Sequence, residues 1–133
     1  MSIELKWLRP SSVAFPSFWH RFQARDSVTD NLVEYRVQDL PEDRYEEAIQ
    51  FMTENYMPNE PLCKSRGGNS DEVFVKDFQR AWRAAIKQRV PLVCFKEGSE
   101  EIVGVNVNMV RGRTDTFGPQ VRAVVSLIMP FKK

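Results

Sequence analysis

The stretch that decides the fold is NLVEYRVQDLPEDRYEEAIQFMTENY, residues 31–56, within which the spacing of apolar residues changes. In its first part apolar and polar residues alternate, so Val33, Tyr35 and Val37 share one side of a half-buried β-strand. After Pro41 the apolar residues recur at every third or fourth position, as on one face of an α-helix. The stretch therefore predicts a strand that leads directly into a helix.

The predicted helix runs from about residue 41 to residue 56. Acidic residues crowd its first turn, where the positive end of the helix dipole favours them. Pro41 suits a helix start because no amide donor is required there, and Pro58 marks the end. The predicted apolar stripe consists of Tyr45, Ala48, Ile49, Met52 and Tyr56.

The segments on either side complete an α+β pattern. Upstream, FWHRFQARD begins at Phe18 and also alternates, and the turn formers DSVTDN follow it, so the two strands are predicted to form a hairpin. Downstream, Ser70 or Asp71 can cap a second helix. The predicted buried face of that helix consists of Phe74, Val75, Phe78, Ala81, Trp82, Ala85 and Ile86.

Two further strands are predicted after the second helix. PLVCFKE is a short continuous apolar run, which is typical of a central strand and would place Cys94 in the core. EIVGVNVNMVRG alternates, and the turn EGSEE before it predicts a second antiparallel hairpin. The side chains predicted to share one face of this last strand are Val103, Val105, Val107 and Met109.

We divide the chain into an N-terminal arm at residues 1–17, a domain at 18–110 and a divergent tail at 111–133. The arm is short and mixed in composition, and could be either ordered or loose. The apolar run 121–129 within the tail reads equally well as a strand or as a short helix. Its one evident structural use would be to cover the open edge of the predicted sheet, because an unpaired edge is a template for aggregation.

Composition sets limits on function. The 133 residues suggest a single domain, with 42% apolar and 28% charged residues as in a folded soluble protein. A net charge of +1 gives no electrostatic argument for nucleic acid or an anionic membrane as the main partner. Two cysteines and one histidine predict neither a disulfide framework nor a usual zinc site. With no apolar run long enough for a signal peptide or a membrane span, we expect a cytoplasmic protein.

A family resemblance rests on residues 33–110. The strand leading into an acidic helix start, the aromatic-x-x-[D/N]-E-P-L loop after that helix and the later IVGVNV strand resemble the insect arylalkylamine N-acetyltransferase branch of the GNAT superfamily. The loop is the most specific piece. It reads Tyr56, Met57, Pro58, Asn59, Glu60, Pro61 and Leu62. The resemblance implies a partial GNAT fold, namely the N-terminal half of the domain preceded by a hairpin.

The resemblance also implies an activity. Enzymes of this family transfer acetyl from acetyl-CoA to the primary amine of arylalkylamines such as dopamine, serotonin and octopamine. The glutamate of the loop acts as general base in the family, a role that maps onto Glu60, and the rest of the loop would form part of the amine-binding wall. Physical chemistry supports this role, because a protonated amine is not a nucleophile and needs a proton acceptor. The alternative is that Asn59 and Glu60 only form a turn after a helix.

The cofactor half of the family is not found in the sequence. Acetyl-CoA is held in the superfamily by a [R/Q]-x-x-G-x-[G/A] turn between a fourth strand and the helix that follows. That motif is absent here, so no cofactor-binding residue is predicted. We therefore expect a truncated chain that is inactive or weak and binds acetyl-CoA poorly. A short protein that has lost catalysis, or a piece of a longer polypeptide, would explain the sequence as well. A non-enzymatic interaction domain that pairs with a partner through its open sheet edge is the alternative function.

Overall fold

The computed structural model of the chain describes residues 3–58, 72–115 and 126–128. The strands of this part are β1 (Phe18–Arg25), β2 (Leu32–Asp39), β3 (Leu92–Lys96), β4 (Glu101–Asn108) and β5 (Ser126–Ile128). The helices are α1 (Tyr45–Asn55) and α2 (Glu72–Ile86), and a short 3₁₀ helix, Glu42–Arg44, directly precedes α1. The predicted α+β order of a hairpin, two helices and two strands is confirmed.

The strands form one antiparallel sheet in the order β1-β2-β3-β4-β5. Phe22 on β1 lies opposite Tyr35 on β2, and β3 pairs with both β2 and β4. The predicted N-terminal hairpin and the central position of β3 are thus confirmed. Asp26 closes the first hairpin by accepting hydrogen bonds from the backbone N–H groups of Val28 and Thr29 at 2.7 and 3.0 Å. Both hydrogen bonds lower the pKa of the Asp26 carboxyl, and the bond from the Thr29 N–H has the larger effect.

The apolar C-terminal run supplies a strand at the outer edge of β4. Leu127 in β5 pairs with Val107, and Ser126 pairs with Asn108. Because β5 hydrogen-bonds along β4, this edge is not left open in the described part of the chain. The idea that the run 121–129 covers the sheet edge is confirmed for its residues 126–128.

The core lies between α1, α2 and one face of β3 and β4. Its fully buried members include Trp82 and Ile86 from α2, Met52 from α1, and Phe95 from β3. The predicted apolar faces of both helices are confirmed, although Tyr45 and Tyr56 at the ends of the first face, and Phe74 and Val75 at the start of α2, are only partly buried. The capping residues predicted for α2, Ser70 and Asp71, lie outside the described residues.

The start of α1 matches the sequence prediction with one local difference. Pro41 precedes the 3₁₀ helix, and Glu42 and Asp43 occupy its first turn, where the positive end of the helix dipole stabilises acidic side chains. The α-helical hydrogen bonding then begins at Tyr45, so the predicted helix at residues 41–56 consists of a 3₁₀ turn followed by α1. Short 3₁₀ turns are common at α-helix ends.

A bulge interrupts the pairing of β4 at Val103. Cys94 pairs with Gly104 while the next residue of β3, Phe95, pairs with Ile102, so Val103 is the extra residue. Val103, Val105 and Val107 are all buried as the alternation predicts, but the core cluster contains Ile102 and Val105 and not Val103. The bulge, which adds Ile102 to the core, was not predicted.

The prediction that Cys94 is a core residue was also wrong. On β3 only Val93 and Phe95 are buried under the helices, and Cys94 between them is partly buried on the other face of the sheet. Successive side chains of a strand point to opposite faces, and the helices cover one of them. Burial still raises the pKa of the Cys94 thiol to about 11. Cys63 lies outside the described residues.

The described part of the N-terminal arm is attached to the rest of the chain at several points. Ile3 and Leu5 pack against the core cluster. The buried Gln88, just after α2, donates from Nε2 to the carbonyl oxygens of Trp7 and Val110 at 3.0 and 2.8 Å, and its Oε1 accepts from the Val110 N–H at 2.8 Å. A single side chain thus fastens the arm to the end of β4.

Candidate functional site

The sequence predicts a site in the loop that follows α1. Of its seven residues, the structure places three, Tyr56, Met57 and Pro58, immediately after the last residue of α1. The proposed base, Glu60, and its neighbours Asn59, Pro61 and Leu62 lie outside the described residues. What the structure describes is the helical frame of the site, that is, the end of α1 and the facing part of α2.

Hydrogen bonds fix the direction in which the chain leaves α1. The backbone N–H of Tyr56 donates to the Met52 carbonyl at 2.8 Å, and the N–H of Met57 donates to the same oxygen at 3.3 Å. Asn55 Nδ2 donates to the Phe51 carbonyl at 2.8 Å and so satisfies one of the acceptors that a helix C-terminus leaves open. The last turn of α1 is thus tied down up to the first residues of the predicted loop.

A chain of aromatic contacts connects the end of α1 with the start of α2. The Tyr56 ring meets Trp82 edge to face at 6.2 Å between centroids, Trp82 meets Phe78 at 5.8 Å, and Phe78 meets Phe74 at 4.9 Å. Such edge-to-face pairs contribute about 0.5–1.5 kcal/mol each beyond their buried area. Both ends of the segment 59–71 therefore start from the same packed aromatic cluster.

Polar contacts also hold the two helices together. Gln79 Nε2 donates to Thr53 Oγ1 at 3.0 Å, and the Arg83 guanidinium donates to both carboxylate oxygens of Glu46 at 2.8 and 3.2 Å. The hydrogen bond from Arg83 lowers the pKa of the Glu46 carboxyl. These contacts set the register of α1 against α2 along the length that the helices share.

The three described loop residues differ in what they can offer a ligand. Met57 has no exposed surface and belongs to the core cluster, so its side chain packs against the helices. Tyr56 and Pro58 are partly exposed. The helical spacing predicts Trp82 as a buried packing residue, which is confirmed. It does not predict the contact with Tyr56, because no periodicity relates the two positions.

Trp82 also carries an unusual polar atom. Its Nε1 is buried and has no hydrogen-bond acceptor within the described part of the chain. A buried donor without a partner costs roughly 1–3 kcal/mol, and native proteins contain only a few such groups. This donor lies at the centre of the aromatic cluster that frames the loop.

The N-termini of the two described α-helices do not fit the diphosphate of acetyl-CoA. A helix N-terminus binds such an anion through free backbone N–H groups. Both described helices start with acidic side chains instead: Glu46 and Glu47 in the first turn of α1, and Glu72 in that of α2. These carboxylates would repel a diphosphate.

The described residues contain no group of three or more His, Cys, Asp or Glu side chains that could hold a metal ion. The same part of the chain has no helix with the length and apolar character needed to cross a membrane.

Comparisons with known proteins give one clear relationship. No protein-family model matches the chain, and no curated protein matches it at a significant level. The chain is similar to the crystal structure of an insect arylalkylamine N-acetyltransferase 7 from the yellow fever mosquito Aedes aegypti, with 48% sequence identity and a TM-score of 0.79. The match covers 85% of this chain and 48% of the mosquito chain, so this chain spans about half the length of that relative.

This match agrees with the sequence motif on which the resemblance was based. The sheet of antiparallel strands and the two helices are consistent with part of a GNAT fold. The resemblance of this chain to the insect arylalkylamine N-acetyltransferases of the GNAT superfamily is therefore confirmed over most of its length.

Proposed function

We propose that this chain forms the amine-binding side of an arylalkylamine N-acetyltransferase, with Glu60 as the general base. The observation that carries the proposal is the 48% identity with the mosquito protein over 85% of the chain. The family motif places the glutamate of the E-P-L loop at Glu60, between Pro58 and Pro61.

The chemistry assigned to Glu60 is proton removal. An arylalkylamine is an ammonium ion near neutral pH, and its nitrogen has no lone pair for attack on a carbonyl. A carboxylate oxygen of Glu60 would take one ammonium proton, directly or through one water, and leave the lone pair on nitrogen. Acetyl-CoA would be the co-substrate that supplies the acetyl group. The general base contributes about 10²–10⁴-fold to such reactions.

The helical frame supports this role by limiting the freedom of the loop. Tyr56 is held against Trp82, and the Gln79–Thr53 hydrogen bond keeps α1 and α2 in register. Pro58 and Pro61 restrict the backbone on either side of Glu60. A base whose surroundings are already ordered loses less entropy when the amine binds.

The acyl-donor site is not part of this proposal. The acidic first turns of α1 and α2 do not suit a diphosphate, and the sequence has no [R/Q]-x-x-G-x-[G/A] motif. We therefore expect the chain to bind an arylalkylamine measurably and acetyl-CoA weakly, with little acetyl transfer by this chain alone.

The test is amine binding by the purified chain. Tyramine is titrated into the ¹⁵N-labelled protein, and backbone amide shifts are followed. Glu60→Gln is expected to weaken binding about tenfold or more, because it removes a charge-assisted hydrogen bond to the ammonium. Glu54→Gln is the matched control, since Glu54 is exposed at the end of α1 and accepts from Gln50 at 2.6 Å. Equal tyramine affinity in the wild type and Glu60→Gln would contradict the assignment.

A second measurement tests the family reaction itself. Release of free CoA thiol from acetyl-CoA in the presence of tyramine is followed for the wild type, Glu60→Gln and Glu54→Gln. Any acetyl transfer above the uncatalysed rate should disappear in Glu60→Gln and persist in Glu54→Gln. Transfer that survives in Glu60→Gln would rule out Glu60 as the base.

The alternative function, an interaction domain, relied on an open edge at the last strand of the predicted sheet. In the described residues this edge of β4 is paired with β5. The structure therefore gives that hypothesis no specific observation at this edge.

A further inference from the structure

Two consecutive hydrogen bonds cross from α2 to α1 close to the amine-site loop. Gln79 Nε2 donates to Thr53 Oγ1 at 3.0 Å, and Thr53 Oγ1 donates to the Ile49 carbonyl, one turn back in α1, at 2.8 Å. Both bonds are partly buried. A hydroxyl has a single proton, so the bond to Ile49 fixes its direction and leaves a lone pair for Gln79. The Thr53 hydroxyl therefore has one orientation that keeps both bonds.

The Gln79–Thr53 hydrogen bond lies about one helical turn from the aromatic contact that holds the start of the loop. Thr53 precedes Tyr56 by three residues on α1, and Gln79 precedes Trp82 by three residues on α2. Residues three apart are neighbours on a helix surface. The chain leaves α1 at Tyr56, whose ring contacts Trp82 at 6.2 Å between centroids. The polar and the aromatic contact thus act on the same end of α1.

The two contacts restrain the helices in different ways. Edge-to-face rings pack well over centroid distances of about 4.5–7 Å, so the Tyr56–Trp82 contact tolerates a small shift of one helix along the other. A hydrogen bond weakens steeply when its angle departs from the optimum, so the Gln79–Thr53 bond is the more directional of the two. A catalytic base needs such precision, because a misplacement of about 1 Å can lower a rate about 100-fold.

We propose that Gln79 and Thr53 are positioning residues of the amine site. Their hydrogen bond fixes where the chain leaves α1 and, through Tyr56, the position of the loop that carries Glu60. Neither residue is assigned a contact with the amine or a part in proton transfer. The proposal rests on the proposed role of Glu60 as general base. It predicts that loss of this hydrogen bond weakens amine binding through Glu60, beyond any effect on the stability of the fold.

The test is tyramine affinity, measured from backbone amide shifts of the ¹⁵N-labelled chain. Gln79→Met keeps the length of the side chain and removes the donor, so it should weaken tyramine binding about three- to tenfold, as expected for one hydrogen bond. Thr53→Val removes the acceptor at almost constant shape and should have the same effect. Gln50→Met is the matched control, because Gln50 also donates a side-chain hydrogen bond near the end of α1, to Glu54 at 2.6 Å, but this bond does not cross to α2. The control should bind tyramine like the wild type.

A double-mutant cycle shows whether the effect passes through Glu60. In the Glu60→Gln background, Gln79→Met should cause no further loss of affinity, because the contact that Gln79 positions is already missing. An equal loss in both backgrounds would overturn the proposal. Unchanged affinity in Gln79→Met, with binding weakened in Glu60→Gln, would overturn this proposal alone and leave the base assignment standing. Unchanged affinity in Glu60→Gln itself would overturn both.

A conservative variant separates positioning from stability. Thr53→Ser keeps the hydroxyl, so it should bind tyramine like the wild type even where the lost methyl group lowers the free energy of unfolding. Urea unfolding shows that each variant is folded and measures its stability. If Thr53→Ser weakened tyramine binding as much as Thr53→Val, the hydroxyl would not be the group that matters, and the proposal would be overturned.

Discussion

Arg9 and Asp39 form an ion pair almost entirely withdrawn from solvent, with 2.9 Å between Nη1 and Oδ2 and side-chain exposures of 7% and 2%. The Asp39 carboxylate also accepts from the Ser17 N–H at 2.7 Å and from Trp19 Nε1 at 2.9 Å. Arg9 Nη2 donates to the Ala14 carbonyl at 2.6 Å. One buried carboxylate therefore attaches the arm and the first residues of β1 to the end of β2.

Removing this carboxylate should be strongly destabilising. Asp39→Asn would leave the Arg9 charge buried without a counter-ion, which costs about 3–5 kcal/mol in comparable cases. The free energy of unfolding in urea measures the loss. Asp43→Asn, an exposed change in the 3₁₀ helix, is the control and should cost at most about 1 kcal/mol, because it removes only a favourable charge from the first turn. A loss below about 1 kcal/mol for Asp39→Asn would show that the pair adds little.

The Gln88 side chain gives a second prediction about the arm. Gln88→Ala would remove all three of its partly buried hydrogen bonds to the backbone of Trp7 and Val110, so the free energy of unfolding should fall by about 2 kcal/mol. Limited proteolysis should also cut the arm faster in this variant. Gln50→Ala, an exposed change on α1, provides the comparison. Unchanged cleavage of the arm in Gln88→Ala would contradict the fastening role.

Local periodicity was enough to predict the elements but not the contacts between them. The change of spacing at Pro41 predicted β2 and α1 to within a few residues, because each element needs only its own pattern. The Arg9–Asp39 pair could not be predicted, since it joins an arm without periodicity to the end of a strand. The bulge at Val103 was missed for a similar reason: a bulge depends on how β4 pairs with β3, which the sequence of one strand does not reveal.

The candidate site was predicted from a family motif and not from the periodicity of apolar residues. Proline spacing around Glu60 indicated a restrained loop, but the role of the carboxylate came from the family resemblance. The aromatic frame of Tyr56 and Trp82 required the crossing of two helices, which no local signal encodes. The Gln79–Thr53 hydrogen bond was not predicted either, because the two residues are brought together only by the tertiary fold.

The partial burial of Cys94 has a chemical consequence. With its pKa raised to about 11, the thiol carries little thiolate at pH 8, and reaction with a disulfide reagent should be about tenfold slower than in the unfolded chain, because the higher nucleophilicity of the remaining thiolate offsets part of the loss. The measurement uses Cys63→Ser, so that Cys94 is the one thiol present, with and without urea. Equal reaction rates in folded and unfolded protein would show that Cys94 is not protected by the sheet.

An exposed ion pair predicts a small pH dependence. The pKa of Glu100 lies below its ordinary value of 4.5, first because Arg36 donates a hydrogen bond to its carboxylate. A carboxyl whose pKa is lowered by folding stabilises the protein above its unfolded pKa. That stability is lost as the pH falls through the folded pKa.

The wild type should therefore exceed Glu100→Gln in stability by about 0.5 kcal/mol at pH 7, a value that allows for the exposure of Glu100. The difference should shrink toward zero as the pH falls below 4.5, and high salt should reduce it at pH 7. Urea unfolding at several pH values gives both curves. A difference that stays constant down to pH 3 would show that it does not come from the charge of Glu100.

The unpartnered indole of Trp82 gives a prediction for the amine-site frame. Trp82→Ala should lower the free energy of unfolding by about 3–5 kcal/mol, because it empties the centre of the core and removes the contact with Tyr56. Trp82→Phe should cost less than half as much, because the smaller ring keeps most of the packing and removes a buried N–H that has no acceptor. Urea unfolding of the two variants and the wild type measures both losses of free energy. If Phe costs as much as Ala, removing the indole N–H gives no gain that offsets the lost volume, and the prediction is contradicted.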